Sequence, residues 1–211
     1  MIAKEGVPYL FATAATAALS YALWGWLVST LPITGFLFVL YFFRDPERRS
    51  TVEPDIVVSP ADGKIIKIDK IQEPDFLMTR ALRISIFMSP FNVHVNRAPY
   101  TGRVLKVVHR KGGFRAAYTD LASLENENVS MLLETDRGPV LVRQIAGLVA
   151  RRIVCRAKPG ERLQRGDRYG IIKLGSRVDI FLPENSEPLV KPGNKVKAGE
   201  TPIARLKEGK A

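Results

Sequence analysis

Two hydropathy patterns divide the chain. Between Glu5 and Arg44 no charged residue occurs, and residues 9–28 (YLFATAATAALSYALWGWLV) are apolar almost without interruption. As a helix rising about 1.5 Å per residue, this run spans about 30 Å, the thickness of a bilayer's hydrocarbon core. One crossing therefore fits, and the sequence leaves the topology open. Residues 33–43 (ITGFLFVLYFF) extend the apolar pattern over about half that length and follow Pro32, so a second full crossing is strained and a re-entrant or interfacial segment fits equally well. A cleaved signal peptide fits less well, because Glu5 cancels the charge of Lys4 and a second apolar block follows directly.

Beyond Ser50 the pattern changes to short alternating runs. These predict strands over residues 63–69, 81–87, 102–109, 131–135, 140–145 and 178–182, separated by Gly, Pro, Asn and Asp. A helix is predicted over residues 118–127, where Thr119 can cap it and Leu121 and Leu124 share a face. The expected fold is mainly β, a small sandwich or barrel preceded by N-terminal hydrophobic membrane helices. Residues 1–43 form the membrane-anchoring segment and residues 44–211 one β-rich domain.

An internal repeat refines the architecture. Lys158-Pro159-Gly160-Glu161-Arg162-Leu163-Gln164-Arg165-Gly166-Asp167 returns as Lys191-Pro192-Gly193-Asn194-Lys195-Val196-Lys197-Ala198-Gly199-Glu200. The pattern resembles the hammerhead turns of biotinyl and lipoyl carrier domains. Those domains present a lysine in a Met-Lys-Met or Asp-Lys hairpin, and no lysine here has that setting. Two glycine-bearing turns that need positive φ account for the repeat as architecture.

Charge then narrows the partners. Lys and Arg number 32 against 21 Asp and Glu, a formal net charge of +11. Such an excess suits nucleic acid, an anionic membrane or solubility. Zinc-finger spacing, RNP-like aromatic runs and helix-turn-helix patterns are absent from the sequence, and the apolar leader favours anionic lipid over nucleic acid. Arg44, Arg48 and Arg49 directly follow the leader, which places the C-terminal portion on the cytoplasmic side by the positive-inside rule. The single cysteine, Cys155, allows no intramolecular disulfide.

Three places carry candidate chemistry. Leu174-Gly175-Ser176 precedes the alternating run at residues 177–182; a serine hydroxyl beside a glycine carbonyl can attack it, and elimination followed by hydrolysis would leave a pyruvoyl group. A protein-bound carbonyl of that kind is an electron sink for amine substrates. Asp62 closes Val58-Ser59-Pro60-Ala61-Asp62-Gly63, a pattern that alone reads as a turn. His94 lies in the Pro-bounded stretch at residues 87–99, where an imidazole can act as a base near neutral pH. His109, beside Arg110 and Lys111, reads as a surface residue. Neither histidine has a partner at metal-ligand spacing, so no metal site is expected.

Taken in order, Val58-Ser59-Pro60-Ala61-Asp62-Gly63, the stretch from Phe87-Met88-Ser89-Pro90 through His94 to Pro99, Asn126-Glu127, Leu174-Gly175-Ser176 and Lys191-Pro192-Gly193 resemble the phosphatidylserine decarboxylase proenzymes of the short bacterial type. The similarity extends to the Tyr41-Phe42-Phe43-Arg44-Asp45-Pro46 exit of the leader. The resemblance implies self-cleavage between Gly175 and Ser176 into a β chain (1–175) and an α chain (176–211), held as a heterodimer. It implies a covalent pyruvoyl cofactor derived from Ser176, which forms a Schiff base with phosphatidylserine and yields phosphatidylethanolamine at the cytoplasmic face of the bacterial cell membrane. Ser176, His94 and Asp62 are the catalytic residues it suggests, without a metal.

The chain departs from the longer members at three positions. Arg97 stands where they carry a second histidine, Arg177 follows Ser176 where Thr is common, and Asn128 follows Glu127 where Arg is frequent. Two other functions compete with this one. A membrane-anchored, lipoyl-like adaptor without catalysis would ordinarily carry a long heptad-bearing helical hairpin, which the sequence does not suggest. A pyruvoyl decarboxylase for a soluble amino acid would have no use for the leader.

Overall fold

The computed structural model describes residues 1–113, 125–147, 152–173 and 176–207. It divides into two units, Met1–Glu47 and Arg48–Ala211. The predicted helix at 118–127 falls, except for its last three positions, outside the described residues.

In the first unit, helix α1 (Val7–Phe42) has 36 residues and straight would be about 54 Å long at about 1.5 Å per residue. Its ends nevertheless meet. Ala3 N donates to Phe43 O at 2.8 Å and Asp45 N to Met1 O at 2.7 Å, Ile2 bridges Arg44, and the Tyr9 and Phe43 rings stack at 5.5 Å. The helix reverses at Gly25, where φ is 74 and ψ is −172. That combination is open essentially only to glycine. The leader is thus a helical hairpin of two arms, residues 7–24 and 26–42. Pro32 sits inside the second arm and does not end it.

The second unit is mainly β, as the alternation predicted. Its strands are β1 (Ile56–Val58), β2 (Gly63–Glu73), β3 (Thr79–Met88), β4 (Val95–Arg97), β5 (Gly102–Arg110), β6 (Asn128–Thr135), β7 (Gly138–Ile145), β8 (Arg152–Cys155), β9 (Arg162–Leu163), β10 (Arg168–Lys173), β11 (Ser176–Pro183), β12 (Glu187–Pro188), β13 (Lys195–Val196) and β14 (Pro202–Arg205). Eight form one antiparallel sheet in the order β13-β2-β3-β11-β7-β6-β5-β9, and two three-stranded sheets, β1-β14-β12 and β4-β10-β8, accompany it. The large sheet curls into a half-barrel. Alternate residues of its strands, among them Ile84, Ile86, Met131, Leu133, Val142, Val178 and Ile180, build the main core.

That strand order is palindromic, and the halves match residue by residue. The bulge between Ile65 and Lys67 in β2 recurs between Val104 and Lys106 in β5. Gly63 pairs with Val196 and Lys64 with Lys195, just as Gly102 pairs with Leu163 and Arg103 with Arg162. Gly193 N donates to Ile65 O and Gly160 N to Val104 O, both at 2.8 Å. The two KPG repeats are therefore equivalent turns, with Gly160 and Gly193 at φ 90 and 97. A second repeat underlies them: Ser59-Pro60-Ala61-Asp62-Gly63-Lys64-Ile65 corresponds to Ala98-Pro99-Tyr100-Thr101-Gly102-Arg103-Val104.

The connectivity of the two halves differs where the third strand of each meets the fourth. In the second half β6 and β7 are joined by the tight turn Asp136-Arg137, closed by the Thr135–Gly138 pair. The matching pair in the first half is Met88 and Ser176. There the chain leaves after Met88 and returns only at Ser176.

Candidate active site

Ser176 opens β11, the strand paired with β3 on one side and β7 on the other. Residues 176–182 are all buried. Ser176 itself is fully buried, and its Oγ lies 3.5 Å from Met88 Sδ, a weak acceptor that leaves the hydroxyl loosely held. Leu174 and Gly175 lie outside the described residues. β10, which ends at Lys173, runs beside β4, and Ile172 N donates to His94 O at 3.3 Å. Backbone pairing thus fixes His94, itself fully buried, to the strand that leads into the Gly175-Ser176 junction.

Two polar residues missed by the sequence reading complete this buried cluster. Asn96 lies two residues beyond His94, and alternation along an extended segment puts the two on one side. Asn96 Nδ2 is 3.7 Å from Met88 Sδ, and Gln144 Nε2 donates to Asn96 Oδ1 at 2.7 Å. The Met88 sulfur is therefore shared by Ser176 and Asn96. Gln144 Oε1 is buried with no hydrogen bond among the described residues, an open acceptor in the core. Its signal was present in the sequence: Gln144 follows the inward positions Val140 and Val142 of β7, where an apolar residue is the default.

Asp62 is held differently. Its carboxylate receives both ends of the Arg48 guanidinium, at 2.5 and 2.9 Å, and Ala198 N donates to Oδ1 at 2.8 Å. The last bond has a symmetry counterpart, since Arg165 N donates to Thr101 Oγ1 at 3.1 Å. Asp62 is thus partly turn architecture, with the Arg48 pair as the added feature. Its described bonds tie it to Arg48 and the second KPG repeat rather than to Ser176 or His94.

The remaining candidates sort themselves by environment. His109 is exposed and pairs with Glu127 at 2.9 Å, in keeping with a surface residue. Burial pushes the Cys155 thiol up from its ordinary value, which keeps it protonated and a poor nucleophile. Burial likewise pushes the Tyr169 phenol well up. No three His, Cys, Asp or Glu side chains converge among the described residues.

A pocket of about 470 Å³ opens beside the Ser176 end of the sheet, lined by Lys64, Lys195, Lys197, Phe87, Ser89 and Asn92. Phe87 precedes Met88 in β3 and is paired with Arg177, so its side chain lies on the face opposite Ser176 and the pocket lies around the end of the sheet from it. Its symmetry counterpart, of about 560 Å³, is lined by Arg103, Arg162 and Arg165 but also by Glu134 and Asp136. Two carboxylates there offset two of the three cations, and Arg165 is committed to the backbone carbonyls of Val52, Glu53 and Ile56. In the first, the carboxylate of Asp62 is already committed to Arg48, so the lysines favour an anion.

Comparison with known proteins assigns the chain to a family. Residues 36–204 match the profile of the family described as phosphatidylserine decarboxylase. The phosphatidylserine decarboxylase proenzyme of Syntrophotalea carbinolica is 47% identical over 208 residues, covering 98% of this chain and 97% of the relative. Those of Pelobacter propionicus and Syntrophus aciditrophicus are 46% and 43% identical, with 96% or more of each chain covered. The chain belongs to the phosphatidylserine decarboxylase family.

The three departures from longer phosphatidylserine decarboxylases have local accounts. Arg97 donates to Gly166 O at 3.0 Å, and a Cβ on Gly199 would come within 2.8 Å of its Cδ, so the side chain braces both repeat turns. Arg177, fully buried, pairs with Asp179 at 2.6 Å and donates to Ser85 Oγ at 2.8 Å. The strand alternation puts that ion pair on the face opposite Ser176. Asn128 Nδ2 donates to Asn126 O at 3.0 Å, bracing the segment that precedes β6.

Proposed function

We propose that this chain is a proenzyme that cuts itself between Gly175 and Ser176 and then decarboxylates phosphatidylserine to phosphatidylethanolamine. The observation that carries the reading is Ser176 itself: a buried, weakly held hydroxyl at the position where the hairpin of the other half has no counterpart. Ser176 Oγ attacks the Gly175 carbonyl carbon, the amide becomes an ester, and the serine nitrogen is freed. Loss of the Ser176 α-proton then expels the Gly175 carboxylate, and hydrolysis of the resulting enamine releases ammonia and leaves the pyruvoyl group. That group supplies a carbonyl which takes up the substrate amine and accepts the electrons left behind as CO₂ departs.

The other residues have supporting roles in this reading. His94 carries protons to and from the Ser176 position, with Asn96 and Gln144 fixing its surroundings. Asp62 is a positioning residue for self-cleavage, acting through the turn it shares with Arg48 and Ala198. Lys64, Lys195 and Lys197 receive the anionic headgroup. Cleavage would not release the α chain, because β11 is paired on both sides and β13 and β14 are paired to β2 and β1. The two chains remain a heterodimer.

The membrane supplies the substrate. The leader anchors the enzyme, and Arg44 and Arg49 place the exit on the cytoplasmic face. Net positive charge draws the domain toward anionic lipid, each basic residue near the surface adding about 1 kcal/mol. The test is Ser176→Ala, which is expected to abolish cleavage and CO₂ release together; retention of CO₂ release would refute the reading. His94→Ala is expected to lose at least one of the two steps.

A further inference from the structure

The fold of the leader specifies how it meets the bilayer, and this inference rests on the membrane reading above. We propose that the leader crosses the membrane twice as a closed hairpin, with Gly25 at the far interface and the N-terminus on the same side as the β-rich domain. Four observations carry it.

The first is burial. From the start of the first arm the better-buried positions are Gly6, Leu10, Thr13, Ala17 and Ser20; along the second they are Ser29 and Pro32, then the neighbouring pairs at 35–36, 39–40 and 42–43. Both sets recur at spacings of three and four, the seam of two helices packed side by side. Small residues dominate the first seam, as they do where helices approach closely in lipid. The outward faces remain apolar, with Phe11 at 75% and Leu31 at 80% exposure. A heptad-like helical hairpin is therefore present after all, contrary to the sequence expectation, but its outer surface suits lipid rather than water.

The second is length. Each arm, at about 1.5 Å per residue, is about 26 Å long, against a hydrocarbon core of about 30 Å. The third is the satisfaction of polar groups. Thr13, Thr16, Ser29, Thr30 and Thr34 each donate to a carbonyl three or four residues back in their own helix, so none of these hydroxyls requires water.

The fourth is the tip. Reversal at Gly25 interrupts the helical ladder, and the freed backbone groups need water or headgroups. A tip stopped in mid-bilayer would have neither. Trp24 and Trp26, exposed on both sides of Gly25, are the residue type that seats at a membrane interface. At the other end the Ile2–Arg44 bridge holds the chain entering the first arm to the chain leaving the second, so the charged Lys4 and Arg44 lie at the same end of the hairpin.

The test uses the full-length protein with Cys155→Ser and single cysteines at exposed positions, Lys4→Cys, Trp24→Cys and Arg49→Cys. Each is treated with a membrane-impermeant maleimide in intact spheroplasts and in inverted vesicles. Lys4→Cys and Arg49→Cys are expected to react only in inverted vesicles, and Trp24→Cys only in spheroplasts. Reaction of Lys4→Cys from the side opposite to Arg49→Cys would mean one crossing and overturn the hairpin while leaving the membrane reading intact. Failure of Trp24→Cys to react in spheroplasts would overturn the double crossing. Release of the protein from membranes by alkaline carbonate would instead overturn the membrane reading itself.

Discussion

Ser176 and Met88 stand opposite each other at the end of the β3–β11 ladder, with Oγ 3.5 Å from Sδ. A thioether fills the space beside the hydroxyl without capturing it. If this is its role, Met88→Leu, which keeps volume and removes the sulfur, costs less than about 1.5 kcal/mol. Cleavage should then proceed within a few-fold of the wild-type rate in a gel time course. Complete loss of cleavage in a folded Met88→Leu protein would assign the sulfur a direct part.

Asn96 and Gln144 form the polar pair behind Met88. Gln144→Leu leaves Asn96 Oδ1 buried without its donor, at a cost of about 1–3 kcal/mol. Denaturant unfolding of Gln144→Leu, Asn96→Leu and the double variant is expected to show coupling of about 0.5–3 kcal/mol. Additive losses would mean that the 2.7 Å contact contributes nothing of its own.

Asp62 and Arg48 are both largely buried, with side chains 10% and 6% exposed. Breaking such a pair from either side is expected to cost about 3–5 kcal/mol, because the remaining charge stays buried. Asp62→Ala and Arg48→Ala should therefore slow self-cleavage alike if Asp62 acts only by positioning. A cleavage defect confined to Asp62→Ala, with Arg48→Ala cutting normally, would place the carboxylate in the chemistry.

The internal symmetry provides its own control for substrate binding. Replacing Lys64 and Lys195 with Ala should raise KM for phosphatidylserine about 10-fold or more, each lost charge contact being worth on the order of 1 kcal/mol, while cleavage and kcat hold. The counterparts Arg103→Ala and Arg162→Ala should leave KM unchanged. Equal effects at the two pockets would show a diffuse charge effect instead of a headgroup site.

The strands were legible in the sequence because alternating β-branched residues and glycine-bearing turns act locally, and every strand predicted from that pattern is present in β2, β3, β5, β6, β7 and β11. The hairpin was not. Gly25 sits in an unbroken apolar run, where only its φ and ψ reveal a reversal, and Pro32 pointed to a break that packing does not make. The second repeat escaped notice because Asp62 and Thr101 differ in type while making the same bond to a backbone N–H. Ser176 and His94 were singled out by residue type together with the family resemblance, whereas Asn96 and Gln144 become conspicuous only once β4 and β7 are seen to face one core. Arg48 meets Asp62 across a turn in the chain, which no periodicity reports.

The central claim is self-cleavage at Ser176, and intact-mass measurement of the purified protein under denaturing conditions tests it most directly. The account predicts two chains, residues 1–175 and 176–211, with the short chain lacking a free amino terminus and reacting with carbonyl reagents. A single uncut chain of 211 residues in a preparation that releases CO₂ from phosphatidylserine would contradict it.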